Sequence, residues 1–143
     1  MKYLAAILFC LISLSAFSAT LTDSDSKLVF TILAKTLDSS DKSVDCGMGT
    51  CQIDGKLSCV LTGNSIGNQK IVCYLFSQGD NILINKNGSR VIFKIISSSV
   101  ENSTDCGMGR CEMSAQLSCV MNGNRVGDRS YSCEAEAGLF PNN

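Results

Sequence analysis

The 143-residue chain contains no histidine at all. That absence excludes Ser-His-Asp and Cys-His nucleophilic sites as they are normally built, and most imidazole-based metal sites. The sequence also lacks a C-x-x-C motif, a P-loop and a G-x-G-x-x-G loop, which are the usual marks of thiol redox chemistry and of phosphate binding. We therefore expect a protein that is not an enzyme and that needs no cofactor.

Long apolar runs are also scarce. The one extended run, residues 3–14, follows Met1-Lys2 and precedes the small residues Ala16 and Ser18. It is shorter than the roughly 20 residues that span a bilayer. This pattern predicts a secretory signal over residues 1–18, cut after Ser18 or, alternatively, after Ala19; a short membrane anchor is the other interpretation. We expect a secreted or periplasmic protein without a membrane span.

Net charge is small. The formal charge is −1, and removal of Lys2 with the signal takes it to −2. A general nucleic-acid or anionic-membrane binder would carry a basic excess, so no nucleic-acid partner is expected. Arg125 and Arg129 form a local basic pair that is most simply solvated loop charge.

Cysteine, by contrast, is abundant. Of nine cysteines, Cys10 leaves with the signal and eight remain. An even number of cysteines in an exported chain indicates disulfides, here up to four. A four-cysteine zinc site in each half of the chain is the alternative.

An internal repeat organises these cysteines. Asp45-Cys46-Gly47-Met48-Gly49 recurs 60 residues later as Asp105-Cys106-Gly107-Met108-Gly109, and every later cysteine keeps that offset. Upstream of these motifs the offset becomes 63, as residues 26–30 match residues 89–93. The pattern predicts tandem duplication, with unit one over residues 19–76, a linker over 77–81 and unit two over 82–143.

Each unit is predicted to fold as β-α-β-β, which gives an α+β protein. Apolar residues at 28, 29, 32, 33 and 37, and at 91, 92, 95, 96 and 100, follow the spacing of one helical face. The Val and Ile content of the second segment favours a strand instead, but its length is more typical of a helix. Two alternating segments separated by a polar stretch then predict an antiparallel hairpin that the helix covers.

The hairpin register predicts the disulfides. If Cys59 opposes Cys73, then Leu57 opposes Leu75 and one face is wholly apolar; Cys119 and Cys133 behave alike. Directly opposed strand residues lie within or near disulfide range. The remaining pairs would then be Cys46–Cys51 and Cys106–Cys111, although crossed pairing within a unit stays open. The units could share one sheet or form two separate lobes. Val60, Val72, Tyr74 and Phe76, on the hairpin face away from the cysteines, offer a surface that the units could bury against each other.

The candidate binding residues lie inside the small cysteine rings. Met48 sits between Gly47 and Gly49, and the second copy repeats this with Gly107, Met108 and Gly109. A rigid loop that holds an apolar tip lowers the cost of binding another protein, as an enzyme inhibitor would. The simpler interpretation is that Met packs on its own core. A protein-binding module is therefore expected, and a structural or envelope-associated protein with no discrete site is the alternative.

Overall fold

The computed structural model describes residues 18–47, 49–63, 69–100, 103–107, 109–123 and 126–137. Within them, the protein is α+β, with two helices against one antiparallel sheet of eight strands and four disulfides. The predicted signal segment lies outside the described residues, apart from Ser18. The predicted cut after Ser18 would fall within the first strand.

The elements follow the same order in each half of the chain. The first half contains β1 (Ser18–Thr20), α1 (Asp23–Ser39), β2 (Asp45–Gly47), β3 (Thr50–Thr62) and β4 (Lys70–Ser77). The second half contains β5 (Asp80–Leu83), α2 (Lys86–Ser99), β6 (Thr104–Gly107), β7 (Arg110–Asn122), a 3-10 turn (Val126–Asp128) and β8 (Ser130–Ala137). The order β-α-β-β holds with one short extra strand per half. The tandem duplication that this parallel suggests stays a prediction.

The halves share one continuous sheet, in the order β1-β8-β7-β3-β4-β5. The short strands β2 and β6 pair with β3 and β7 at their starts. At the centre, β3 and β7 pair antiparallel over their whole lengths, from Thr50 opposite Asn122 to Thr62 opposite Arg110. Lys56 opposes Gln116 at the middle of this ladder, and these residues occupy equivalent positions in the repeat. An approximate two-fold axis therefore passes between them.

The first strand and the helix of each half pair with and pack on the hairpin of the other half. β1 pairs with β8, and β5 pairs with β4. The Leu21 N–H donates to the Cys133 carbonyl and the Ile84 N–H donates to the Cys73 carbonyl, both at 2.9 Å. The helix–sheet contacts follow the same exchange, since α1 packs on β8 and α2 packs on β4. The hairpin of each predicted unit is thus covered by the helix of the other unit.

Two buried serines fix this exchange. The Cys133 N–H donates to Ser26 Oγ of α1 at 3.0 Å, and the Cys73 N–H donates to Ser89 Oγ of α2 at 3.2 Å. The Ser89 hydroxyl in turn donates to the Ile84 carbonyl at 3.1 Å. Each serine therefore satisfies a backbone donor of a strand that would otherwise be buried unpaired.

The helices form over the predicted apolar segments. Each begins five residues before the first predicted apolar position, at Asp23 and at Lys86. Their N-caps are Thr22, whose side chain accepts from the Asp25 N–H, and Asn85, whose side chain accepts from the Gly88 N–H at 2.7 Å. Side-chain acceptors at this position satisfy otherwise orphan backbone donors. The buried face is also rotated from the predicted one, because Leu28 is 49% exposed while Ser26 is fully buried.

The core lies between the helices and one face of the sheet. The predicted hairpin register is confirmed, with Leu57 opposite Leu75 and Cys59 opposite Cys73. The second hairpin repeats it around Cys119 and Cys133. The predicted linker contains a tight turn, in which Gln78 (φ 52°) and Gly79 (φ 83°) reverse the chain between β4 and β5.

Candidate binding surfaces

The chain reverses between β2 and β3 and again between β6 and β7, at the two Gly-Met-Gly segments, which we call the Gly-Met-Gly turns. Gly47 opposes Thr50 across the first turn, and Gly107 opposes Arg110 across the second. Gly49 and Gly109 adopt φ values of 84° and 79°, a left-handed conformation that glycine adopts without steric cost. Met48 and Met108 lie outside the described residues, so the predicted role of their side chains stays a prediction.

Each turn is fixed on both sides. The disulfides Cys46–Cys51 and Cys106–Cys111 join directly opposed residues just behind the turns. The other half of the chain supplies a further bond, because the Gly123 N–H donates to the Gly49 carbonyl at 2.9 Å. The Gly63 N–H donates likewise to the Gly109 carbonyl at 3.1 Å. The backbone around each predicted binding residue is therefore held by a covalent bridge and by a neighbouring loop.

The two turns lie at opposite ends of the sheet. Each turn precedes the start of a central strand, and these strands run antiparallel over 13 residues each. At about 3.3 Å per residue, the turns are separated by roughly 40 Å. The structure thus groups Gly47 with Gly49 and Gly107 with Gly109, but it does not bring the two groups together.

The other two disulfides belong to the interior. Cys59–Cys73 and Cys119–Cys133 join opposed strand residues, and all four cysteines are fully buried beneath the helices. Since all eight cysteines of the described residues form disulfides, those residues offer no thiolate for the zinc alternative. In the described ranges, no group of three or more His, Cys, Asp or Glu residues is placed to hold a metal ion.

The sheet face opposite the helices is open and differs between the halves. The halves join edge to edge through β3 and β7, rather than face to face through the predicted surface of Val60, Val72, Tyr74 and Phe76. Tyr74 is therefore 40% exposed and Phe76 50% exposed, beside Leu83 at 58%. The residues at the equivalent positions are Glu134 and Glu136 of β8 and Thr20 of β1.

A groove between β4 and α2 extends this surface; we call it the basic groove. It comprises two adjoining cavities of about 660 and 410 Å³ that share Gln69, Ile71 and Arg90. Its cations are Lys70 from β4 and Lys86, Arg90 and Lys94 from α2, and its lining includes Val72, Tyr74, Leu83 and Phe93. No sequence-based prediction covered the basic groove, although the spacing of Lys86, Arg90 and Lys94 indicates one basic stripe on a helix.

The equivalent corner, between β8 and α1, is smaller and of mixed charge. Its cavity of about 450 Å³ is lined by Asp23, Lys27, Arg129 and Tyr131, among others. Tyr131 occupies the position equivalent to Ile71 and packs against Phe30 of α1, with ring centroids 5.4 Å apart. Arg125, predicted to form a local basic pair with Arg129, lies outside the described residues.

Comparison with protein-family models, with curated proteins and with solved structures found no match. Among the helices that the structure describes, none is long and apolar enough to cross a membrane.

Proposed function

We propose that this chain is an exported, disulfide-stabilised protein-binding module that contacts its partner through the Gly-Met-Gly turns, in the manner of an enzyme inhibitor. The observation that carries the proposal is the double anchoring of each turn. A disulfide closes the turn from behind, and a loop of the other half holds the carbonyl of Gly49 or Gly109.

Such anchoring matters because a binding loop that is already ordered loses little conformational entropy when its partner binds. Four disulfides in a chain of this size are also typical of proteins in an oxidising compartment, which is consistent with an extracellular or periplasmic location. The proposal treats the protein as non-catalytic.

The separation of the turns defines how a partner would bind. Because roughly 40 Å lies between them, one small partner site cannot take both Met48 and Met108. Each turn would engage a partner independently, or one large partner would span the sheet. A two-site module of this kind gains avidity only if both sites can be reached at once.

The experiment compares immobilised mature protein with Met48→Ser, Met108→Ser and double variants in capturing proteins from the compartment into which it is exported. We expect each single variant to lose part of the specific capture and the double variant to lose nearly all of it. Leu28→Ser is the matched control, since it removes an exposed apolar side chain of α1 that belongs to neither turn. Near-ultraviolet circular dichroism confirms that every variant is folded.

Unchanged capture by a folded double variant would contradict the proposal for the turns. If neither the parent protein nor any variant retained a partner, the structural or envelope-associated alternative would be favoured instead.

A further inference from the structure

We infer that the basic groove binds an acidic peptide segment that contains apolar residues. This inference extends protein binding to a second surface and does not depend on the Gly-Met-Gly turns. It rests on the charge, the lining and the open strand edge of the groove.

The charge of the groove is of one sign. Lys70, Lys86 and Arg90 line the larger cavity, and Lys94 lines the adjoining one, with no Asp or Glu among the residues that line either. The ion pairs of the described residues, Lys42–Asp80 and Arg110–Glu112, involve none of these cations. A cavity lined by several cations without a local counter-charge attracts an anionic ligand.

The arrangement of the cations favours several negative charges rather than one. Lys86, Arg90 and Lys94 recur every four residues on α2, so they form a stripe about 12 Å long. A single carboxylate headgroup would use one end of that stripe. A peptide with several acidic side chains would use all of it.

The strand edge favours a peptide over other polyanions. β5 pairs with β4 only from Tyr74 to Ser77, and the Ile84 N–H then reaches the Cys73 carbonyl. Among the described residues, no strand pairs with the outer edge of β4 before that point. Because backbone groups alternate along a strand, Ile71 directs its N–H and C=O to the same edge as Cys73. An extended peptide could add there as a further strand.

The apolar residues that line the groove, and the acidic residues elsewhere on the sheet, also favour a peptide ligand. Val72, Tyr74 and Leu83 give alternate side chains of an added strand apolar surface to cover. A nucleic acid or an anionic membrane would also meet Glu134 and Glu136 on the same sheet, and the whole chain carries a charge of −1. These features disfavour a large anionic surface as the ligand of the groove and favour a short acidic peptide segment.

The test measures fluorescence anisotropy of a fluorescein-labelled eight-residue peptide of alternating Glu and Val, mixed with the mature protein in low salt. We expect saturable binding at least tenfold tighter than that of the matching Lys-Val peptide. The Lys86→Glu/Arg90→Glu double variant should weaken binding at least tenfold. Lys27→Glu, at the position of α1 equivalent to Arg90, is the matched control and should change the affinity less than twofold.

Two further arms test the assignment to a peptide strand. N-methylation of alternate Glu-Val backbone amides should abolish binding if the peptide pairs with β4. Fluorescein-labelled oligothymidine and vesicles containing 30% phosphatidylglycerol should bind at least tenfold more weakly than the Glu-Val peptide. Absence of Glu-Val binding, equal loss in Lys27→Glu, insensitivity to N-methylation, or equal binding of oligothymidine or vesicles would each overturn the inference.

Discussion

Two corners of this molecule are built alike and present different surfaces. Where α2 covers β4, the groove carries four cations and borders exposed Tyr74 and Leu83. Where α1 covers β8, the corresponding cavity mixes Asp23 with Lys27 and Arg129. The buried connections, by contrast, match residue for residue, as the Ser26 and Ser89 hydrogen bonds show. Burial constrains the interior of both corners, whereas their surfaces are free to differ.

The interiors also differ at several buried positions, and at one pair of them the changes in volume are opposite in sign. Gly55 lies so close to Leu75 that an added Cβ would stand 2.7 Å from Leu75 Cδ1. The equivalent positions on the second half are Ala115 and Ala135, both fully buried. One corner therefore packs a glycine with a leucine, and the other packs two alanines.

Separating the two halves should have the largest effect. Residues 19–77 alone lack β8 for α1 and lack both β5 and α2 for β4. We expect this fragment to show no near-ultraviolet circular dichroism and no cooperative unfolding, and its mixture with residues 80–137 to restore both signals in a 1:1 complex. A cooperative transition in the isolated fragment would show that the exchange is dispensable.

The volume compensation gives a prediction of intermediate size. Leu75→Ala should lower the free energy of unfolding by about 2–5 kcal/mol by leaving a cavity. Gly55→Ala should lower it by about 1–3 kcal/mol through overpacking. The double variant, which copies the other corner, should lose less than the sum by about 0.5–3 kcal/mol, as measured by denaturant unfolding.

The control for this cycle is Ala135→Leu, where the leucine meets Ala115 instead of a glycine. It should destabilise the protein by overpacking. Strictly additive losses for Gly55→Ala and Leu75→Ala would mean that the two positions do not compensate.

The smallest expected effect concerns the two buried serines. Ser26→Ala and Ser89→Ala should each lower the free energy of unfolding by about 1–3 kcal/mol, because each leaves a buried strand N–H without an acceptor. The two losses should agree closely, given the matching geometry. Ser98→Ala on the exposed side of α2, whose hydroxyl bonds within its own helix, should cost little. If Ser26→Ala and Ser89→Ala lowered the free energy of unfolding no more than Ser98→Ala does, the buried serine hydrogen bonds would not stabilise the fold.

Much of this fold could be predicted from the sequence, because its strongest patterns are local. A two-residue alternation with one cysteine per strand determines the register of Cys59 with Cys73, and a slip by one residue would turn Leu57 and Leu75 to solvent. The helical spacing likewise indicated α1 and α2. Their exact buried faces were less predictable, because Ser26 and Ser89 are buried for their hydroxyl groups and not for their hydrophobicity.

The exchange between the halves could not be predicted from periodicity. β1 and β5 carry patterns that suit a hairpin of either half, so alternation alone does not choose the partner. The two-residue turn at Gln78-Gly79 was the available signal, because a reversal that tight forces β5 back along β4. The basic groove was missed for a related reason, since Lys70 and the cations of α2 meet only after this reversal.

The pairing of β1 with β8 places the two ends of the described chain on neighbouring strands. Ser18 opposes Glu136, just as Asn81 opposes Phe76 next to the Gln78-Gly79 turn. A short peptide joining β8 to β1 would therefore repeat a connection that the molecule already contains. A circular permutant that begins at Asp80 and ends at Ser77 would keep every strand neighbour and every disulfide. The order of the two halves along the chain is therefore not required by the folded structure.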